Sequence, residues 1–290
     1  MRITVATRRS ALALAQSRAV AAVLSAEGHE VQLLEMTTAG DRWSLSAAPD
    51  QPPADLKGMF VKELEQALLD GRADIAVHSA KDLPGDLPHG LAILATPARV
   101  NPRDVLIGVL GGLDALPAGA RVGTTSPRRR AQMLAARPDL QIVEVHGNVD
   151  TRLAKLDAGD VDALVLAAAG LARLGIARAD AVELSIDRHL PAPGQGIVAI
   201  EGRADDAAVR EACAVLDDPT ARACLAAERA FLARLGGGCL VPAGALCERD
   251  GDSLRMRAWW NGSGRSADVT GDLGDPAGLG ERAAKQVGAP

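Results

Sequence analysis

The chain has 290 residues, enough for two or three domains with cores of their own, and its formal net charge is −5. A general nucleic-acid-binding protein usually carries an excess of basic residues, so this charge argues against one. Aromatic residues make up only 2% of the chain and tyrosine is absent, so the core has to be built from aliphatic side chains.

The first residues contain no apolar core of a secretory signal, and no segment reaches the ~18 uninterrupted apolar residues of a membrane span. We therefore expect a cytoplasmic protein that binds neither membranes nor nucleic acid. In that compartment the four cysteines should be reduced, and their spacing fits no metal site. Three of them, Cys213, Cys224 and Cys247, fall in regular helical or strand patterns and are expected in the core.

Strand-like and helical segments alternate along the first two thirds of the chain. The first series has strands at 3–6, 31–36, 75–77 and 91–94, with helices at 10–27 and from about residue 60. Between them, residues 38–57 contain three prolines among small and polar residues, which predicts a long loop of the kind that often forms a lid.

A second series begins after Asn101-Pro102. Its predicted strands cover 105–109, 121–123, 142–145 and 163–167, with helices at 127–136 and 149–158. Alternation of this kind predicts parallel sheets with helices on both faces. The two series therefore indicate two α/β domains with a cleft between them.

The pattern changes after the turn-rich segment 191–196. Two helices, near 204–216 and 220–235, precede antiparallel-looking strands. Apolar residues alternate with polar ones from Leu254 to Trp260, and Asn261-Gly262 predicts a hairpin turn. This last third is typical of a small α+β domain.

Polar side chains follow the buried strand at 75–77. His78, Ser79, Lys81 and Asp82 come within five residues, and Pro84 then prevents a helix from continuing. Open α/β sheets bind ligands at the carboxyl ends of their strands, so this segment is a candidate site. An ordinary surface loop would have the same composition.

Arginines occur where three predicted helices begin. Arg8 precedes Ser10, Arg128 and Arg129 follow the predicted N-cap Ser126, and Arg152 follows the predicted N-cap Asn148. A helix N-terminus already carries partial positive charge, so this repeated arrangement indicates bound anions. No glycine-rich nucleotide motif is present, which favours a polycarboxylate ligand over a nucleotide. The alternative is that these arginines are solvated or paired with acidic residues.

Cys239 follows three glycines, Gly236-Gly237-Gly238, at the end of a predicted helix. Glycine permits unusual backbone angles and close approach of another group, which suits a covalent attachment point or a nucleophile. The alternative is a glycine cap at the helix end followed by a buried cysteine.

Taken together, these segments resemble the porphobilinogen deaminase family, also called hydroxymethylbilane synthases. The motifs occur in the family's order and cover nearly the whole chain. They are Ala6-Thr7-Arg8-Arg9-Ser10, residues 57–65, Ala73 to Pro84, Val122 to Arg129, Gly147 to Arg152, Leu166 to Arg173, Pro193-Gly194-Gln195-Gly196 and Gly237-Gly238-Cys239.

The resemblance implies two α/β domains similar to the halves of periplasmic binding proteins, plus a small C-terminal α+β domain. The implied boundaries are 1–97 with 196–216, 101–192, and 218–290. It also implies a transferase, expected to be a monomer, with a dipyrromethane cofactor joined by a thioether to Cys239. Such enzymes condense four porphobilinogens head to tail; each loses ammonia to give an azafulvene, which the terminal pyrrole attacks. Hydrolysis then releases the linear tetrapyrrole hydroxymethylbilane, the precursor of porphyrins and haem.

Site residues follow from the same resemblance, position by position. Asp82 matches the catalytic carboxylate. The implied cofactor contacts, besides Cys239, are Ser79, Lys81, Thr124, Ser126, Arg128, Arg129 and Gly147. The implied substrate contacts are Arg8, Ser10, Phe60, His146, Arg152, Arg173 and Gln195.

Two positions depart from the family pattern. His146 stands where the family usually has arginine, which removes a permanent charge from a carboxylate site, and Leu240 stands where it usually has glutamine. A different class of function also fits the pattern: a two-domain clamp that binds a small polycarboxylate without chemistry.

Overall fold

The structure is a computed structural model, and it describes residues 1–40, 58–236 and 241–289, with the side chains of 58–60 left out. The strands are β1 (Arg2–Arg8), β2 (Glu30–Met36), β3 (Ile75–Ser79), β4 (Leu91–Ala95), β5 (Asp104–Ile107), β6 (Arg121–Gly123), β7 (Gln141–Val143), β8 (Ala163–Ala167), β9 (Ala181–Glu183), β10 (Val198–Arg203), β11 (Ala243–Asp250), β12 (Ser253–Trp260) and β13 (Arg265–Asp272). The helices are α1 (Ala11–Ala26), α2 (Gly58–Leu69), α3 (Pro127–Ala136), α4 (Val149–Asp157), α5 (Ala168–Arg173), α6 (Ala207–Cys213), α7 (Pro219–Arg234) and α8 (Pro276–Gln286).

Within the described ranges the strands form three sheets. The first has the order β2-β1-β3-β10-β4, the second β7-β6-β8-β5-β9, and the third β11-β12-β13. Helices α1 and α6 pack on the first sheet, and α7 and α8 pack on the third. The predicted fold class, two α/β units followed by a small α+β unit, is confirmed. The predicted domain boundaries stay a prediction.

The prediction of parallel sheets is only partly right: β1 pairs in parallel with β2 and β3, and β6 with β7 and β8, but each sheet also contains antiparallel pairs. Strand β10 runs antiparallel to β3 and β4, and β5 runs antiparallel to β8 and β9. Both strands follow segments that cross between the first two sheets, and the two crossing segments are hydrogen-bonded where the Val100 amide donates to the Gly196 carbonyl 3.2 Å away. Each crossing segment enters its new sheet from the opposite end, which reverses the strand. Strand β10 and helix α6 do return to the first sheet, as the resemblance implies.

The predicted hairpin after Trp260 is present, but its turn is longer than two residues. Trp260 pairs with Arg265, so residues 261–264 form the turn, and the glycine with positive φ is Gly264 (+69°). Gly262 has a different reason to be glycine, because the Trp260 indole lies against the position that a Cβ would occupy. The Asn-Gly pair therefore marked the turn but not its type.

Small aliphatic side chains fill the cores, as the composition predicts. Among the described residues, Phe231 is the one aromatic side chain that is fully buried. Cys213, Cys224 and Cys247 are free thiols and buried, which confirms their assignment to the core. Burial raises the pKa of Cys213 to about 11, so that thiol stays uncharged near neutral pH.

A buried ion pair joins the crossing segments to the C-terminal unit. Glu228 on α7 is fully buried and lies 2.6 Å from Arg99 through Oε1 and Nη1. The same carboxylate accepts hydrogen bonds from the amides of Gly194 (2.6 Å) and Cys247 (2.7 Å), while Arg99 Nε donates to the Gln195 carbonyl (2.9 Å). One carboxylate therefore fixes the segment that carries Gln195.

We expect Glu228→Gln to lower the free energy of unfolding by about 3–5 kcal/mol, because it leaves Arg99, whose side chain is only 13% exposed, without its counter-charge. Urea unfolding followed by circular dichroism measures the change. Asp268→Asn is the matched control: it breaks the half-exposed pair with Arg255 and should cost less than about 1 kcal/mol. Equal losses in the two variants would contradict this assignment.

Candidate active site

The segment that follows β3 forms a tight turn at the carboxyl end of the first sheet. Strand β3 is buried, and after Ser79 the residues Ala80–Asp82 make a single 3-10 turn that ends before Pro84. Gly194 packs directly on this turn, where an added Cβ would lie 2.9 Å from the Lys81 amide nitrogen. Its φ of +76° also favours glycine. The crossing segment and the 3-10 turn therefore support each other.

A pocket opens beside the turn and contains four of the predicted site residues. Arg8, Ser10, Ser79 and Asp82 line it, together with Gln16, His78 and apolar side chains of α1, α2 and β3. Gln16 Nε2 donates to Ser79 Oγ (2.9 Å), and Ser10 Oγ caps helix α1 by accepting from the Ala13 amide (3.3 Å). The pocket thus combines a cation, hydroxyls and the Asp82 carboxylate.

Two of the predicted arginines converge on one buried carboxylate of the second sheet. Arg128 Nη1 and Arg129 Nη2 each lie 2.8 Å from Asp104, which is 1% exposed. Gln195 Nε2 donates to the same carboxylate (2.9 Å). Burial alone would raise the pKa of Asp104, but the two guanidinium charges outweigh it and hold that pKa well below its usual range.

Lys81 and Arg152 connect this cluster with Asp82. Desolvation lowers the pKa of Lys81 to about 8; Asp82 opposes the shift, and Arg129 and Arg128 add to it. Desolvation likewise lowers the pKa of Arg152 to about 10, with Arg129 adding to the shift and Asp82 opposing it. Asp82 therefore lies within the electrostatic reach of both cations, and the two sheets contribute to one site.

The cationic side chains outnumber the carboxylates here. The acids that interact most strongly with these cations are only two, Asp82 and Asp104. The cations are Lys81, Arg128, Arg129 and Arg152. Two buried polar atoms at this place, Arg128 Nε and Gln195 Oε1, have no hydrogen-bond partner within the described residues. Arg128 Nε is a donor and Gln195 Oε1 an acceptor; an unpaired buried donor and an excess of buried cations are costly, so the site is suited to a ligand with several carboxylates.

The hydroxyls at the start of α3 serve the local backbone. Thr124 Oγ1 accepts from the Ser126 amide (3.1 Å), and Ser126 Oγ accepts from the Arg129 amide (3.4 Å), which confirms Ser126 as the N-cap. Asn148 occupies the N-cap position of α4, but its side chain makes no capping hydrogen bond there, so that part of the prediction is wrong. Arg130 lies exposed on α3.

Gly147 is required by its backbone. Its φ is +112°, and an added Cβ would lie 2.8 Å from Thr151, so a larger residue would strain the start of α4. Its carbonyl accepts from Arg152 Nε at 2.8 Å. Gly147 therefore orients a cationic side chain of the site.

Three further predicted residues have different surroundings. Arg173 on α5 donates through Nη2 to the Gly196 carbonyl (2.8 Å), next to Gln195, and burial lowers its pKa. His146 Nε2 lies 3.2 Å from the exposed Glu144 carboxylate. The Phe60 side chain, Cys239, Leu240 and most of the predicted loop at 38–57 lie outside the described residues.

Asp104 and Gln16 belong to the site but were not predicted. Asp104 stands at the start of a predicted buried strand, and an acidic residue there is a weak sign of a buried pair. Its partners lie 24 and 25 residues further on, so only the folded chain shows that they meet. No three potential metal ligands are grouped anywhere in the part of the chain that the structure describes.

The fold and the site define a class: a protein with two α/β units whose joint site is cationic and suited to a polycarboxylate. Residues 3–211 match the family model described as porphobilinogen deaminase, dipyromethane cofactor binding domain, and residues 222–288 match the model of the porphobilinogen deaminase C-terminal domain. The chain belongs to the porphobilinogen deaminase family, which confirms the resemblance.

Curated relatives agree with the family models. The chain is 47% identical over 291 residues to the porphobilinogen deaminase of Roseiflexus castenholzii, covering 98% of this chain and 95% of the relative. It is 47% identical to that of Xanthomonas oryzae pv. oryzae, covering 98% and 94%, and 51% identical to that of Sorangium cellulosum, covering 88% and 85%. The similarity therefore spans nearly the full length of this chain and of its relatives.

Solved structures show a weaker similarity. A nutrient binding protein from Burkholderia cenocepacia, solved with methionine, is 16% identical with a TM-score of 0.46, covering 81% of this chain and 96% of that one. A score below 0.5 adds nothing to the assignment. Among the helices described here, none has the length and apolar character needed to cross a membrane.

Proposed function

We propose that this chain is a transferase that condenses four porphobilinogen molecules head to tail into the linear tetrapyrrole hydroxymethylbilane, with release of ammonia. The observation that carries the proposal is the position of Asp82, a carboxylate in a pocket with Arg8 and within the electrostatic reach of Lys81 and Arg152. A carboxylate can stabilise a cationic ring, and the surrounding cations can bind that ring's own carboxylates.

The residues present fit the dipyrromethane of the matched family model. This group carries acetate and propionate side chains, and the site offers an excess of cations together with the unpartnered donor Arg128 Nε. When bound, it supplies a terminal pyrrole whose free α-carbon starts the chain. The residues that would hold it, with Cys239 as the attachment point, are Ser79, Lys81, Thr124, Ser126, Arg128, Arg129 and Gly147.

The cations nearest the pocket bind the substrate. Arg8 and Ser10 line the pocket itself, and Arg152 is oriented by the Gly147 carbonyl. Their charge and hydroxyl match the acetate and propionate of porphobilinogen. Phe60, His146, Arg173 and Gln195 complete the proposed substrate contacts. The contact between His146 and Glu144 makes His146 the weakest member of this set, because a neighbouring acid already occupies it.

Asp82 acts while the carbon–nitrogen bond of the substrate's aminomethyl group breaks. The nitrogen leaves as ammonia with the bonding electron pair, and the positive charge that stays on the substrate is delocalised over its pyrrole ring. The Asp82 carboxylate stabilises this charge and can accept a hydrogen bond from the ring N–H. After the new carbon–carbon bond forms, the attacking pyrrole loses the proton from its α-carbon and its aromaticity returns.

An intact-protein mass spectrum tests the proposal against the simpler clamp. An adduct of two pyrrole units on purified chain supports the enzyme. The bare sequence mass, unchanged after incubation with porphobilinogen, supports a binding module without chemistry. A chain purified without substrate can lack the two-pyrrole adduct. The mass measured after incubation with porphobilinogen therefore decides between the two functions.

Lys81 should make cofactor assembly sensitive to pH. Its pKa of about 8 means that it is mostly charged at pH 7 and mostly neutral at pH 9, so it loses its attraction for carboxylates as the pH rises between them. A bound anion shifts this range upward. We expect the rate at which apoprotein gains its adduct to fall across pH 7–9.5 in the wild type and to stay flatter in Lys81→Arg.

The control for this prediction is Lys285→Arg, on the exposed surface of α8, which should follow the wild-type profile. Any titration of porphobilinogen itself is common to all three proteins and cancels in the comparison. Parallel profiles for the wild type and Lys81→Arg would show that Lys81 is not a titrating contact.

A further inference from the structure

Three ionisable residues lie around the turn that carries Asp82 and are not among the proposed ligand contacts, although one of them, His78, also lines the pocket. Glu201 on β10 is fully buried, and its Oε2 lies 3.0 Å from Nε2 of His78, which is 5% exposed at the end of β3. The contact has the distance of an ion pair without the angles of a hydrogen bond. Burying a carboxylate this deeply is costly unless neighbouring groups compensate it.

Arg229 on α7 is the cation of this group. Burial lowers its pKa, while Glu201, and with it Asp86, favours its charged form. Its guanidinium donates to two successive carbonyls, Pro84 (Nη1, 2.9 Å) and Gly85 (Nη2, 2.6 Å). These carbonyls belong to the two residues that follow Leu83, so Arg229 holds the chain immediately after the turn.

The two sides of the turn are thus held by two residues that both interact with the buried Glu201 carboxylate, His78 by contact and Arg229 through its charge. His78 holds the chain four residues before Asp82, and Arg229 holds it two and three residues after. Between these anchors Ala80 and Leu83 are buried against Leu225 of α7. The turn cannot shift without separating buried charges or exposing this apolar contact.

We propose that His78, Glu201 and Arg229 form a positioning network that holds Asp82 in its working place and couples it to helix α7 of the C-terminal unit. The inference rests on the proposed function, because it assigns these residues through Asp82. Glu201 and Arg229 are not among the residues that line the pocket, and the role proposed for His78 requires no contact with substrate. Their effect comes from the geometry of the turn, and a displacement of about 1 Å at a reacting group can cost 10²-fold in rate.

Arg229→Gln is the first variant to measure, as protein whose cofactor adduct has been verified by mass. We expect kcat to fall roughly 10–100-fold while KM changes less than about 2-fold, since the pocket cations remain. Arg229→Lys keeps the charge beside Glu201 and one hydrogen bond, so it should recover part of the loss. Glu201→Gln should resemble Arg229→Gln.

The matched control is Arg203→Gln, on the same strand as Glu201. Arg203 also donates to two backbone carbonyls, of Leu68 and Ala73, and also pairs with an acid, Asp74, but it holds a different part of the chain. We expect it to lower thermal stability and leave kcat near the wild-type value. Equal losses of kcat in Arg203→Gln and Arg229→Gln would overturn the proposal.

A second comparison asks whether the network acts through Asp82. In an Asp82→Asn background, Arg229→Gln should lower kcat by less than about 2-fold, because the group it positions is already gone. A full multiplicative loss there would overturn the proposal, as would a folded, loaded Arg229→Gln with wild-type kcat. If Arg229→Gln does not fold, Arg229→Lys and His78→Gln give the same comparison. A wild-type chain that forms no tetrapyrrole would instead reject the proposed function.

Discussion

Replacing Cys239 with serine should leave the chain at its bare sequence mass and remove nearly all tetrapyrrole formation. A thiolate is a far better nucleophile than a hydroxyl near neutral pH, so serine should not form the covalent link. Without a primer held in the cationic site, the first condensation has no acceptor. Intact mass and absorbance of the product measure the two effects on one preparation.

The other cysteines provide the control. Cys213 lies in the core with its pKa raised to about 11, so its thiol is unreactive, and Cys213→Ala should keep the adduct. It should also keep most of the activity. An adduct that peptide mapping places on Cys213, Cys224 or Cys247 would remove Cys239 from this role.

Replacing Asp82 with asparagine should lower kcat by at least about 10²-fold, the scale of losing one preorganised electrostatic group. Asparagine keeps the shape of the side chain but removes the charge that stabilises a cationic pyrrole. KM should change less, because Arg8 and the other cations still bind the carboxylates of the substrate. Steady-state kinetics on adduct-bearing protein separates the two constants.

Asp70→Asn is a suitable control, since this exposed carboxylate pairs with Arg72 and neither residue is a proposed site residue. Its kcat should equal the wild-type value. If the kcat of Asp82→Asn also stayed within a few-fold of the wild-type value, Asp82 would have no part in the chemistry. The cations around it would then only bind the ligand.

Much of the fold follows from local sequence. The strand at 163–167 and the helix at 127–136 have the predicted bounds, because apolar runs and an N-cap followed by proline are local signals. Helix α8 was not predicted: its buried face consists largely of glycine and alanine with Leu279, which gives a weak apolar pattern. The direction of β10 was missed because it depends on the path of the chain between units.

The site residues also divide into those that local sequence predicts and those that only the folded chain reveals. The residues after β3 were predicted because they stand together in the chain, at a place where α/β sheets bind ligands. Asp104 and Glu201 were missed because their partners are distant: His78 and Glu201 are separated by 122 intervening residues but lie on neighbouring strands. Local patterns indicate which side chains can act, and only the folded chain shows which charges hold them in place.

The central claim is that this chain performs condensation and not only binding. The most direct measurement is to incubate the purified chain with porphobilinogen and to follow substrate, ammonia and product together. The account predicts that porphobilinogen is consumed, that one ammonia appears for each molecule consumed, and that a linear tetrapyrrole accumulates. Porphobilinogen that binds but is recovered unchanged, with no ammonia released, would contradict it.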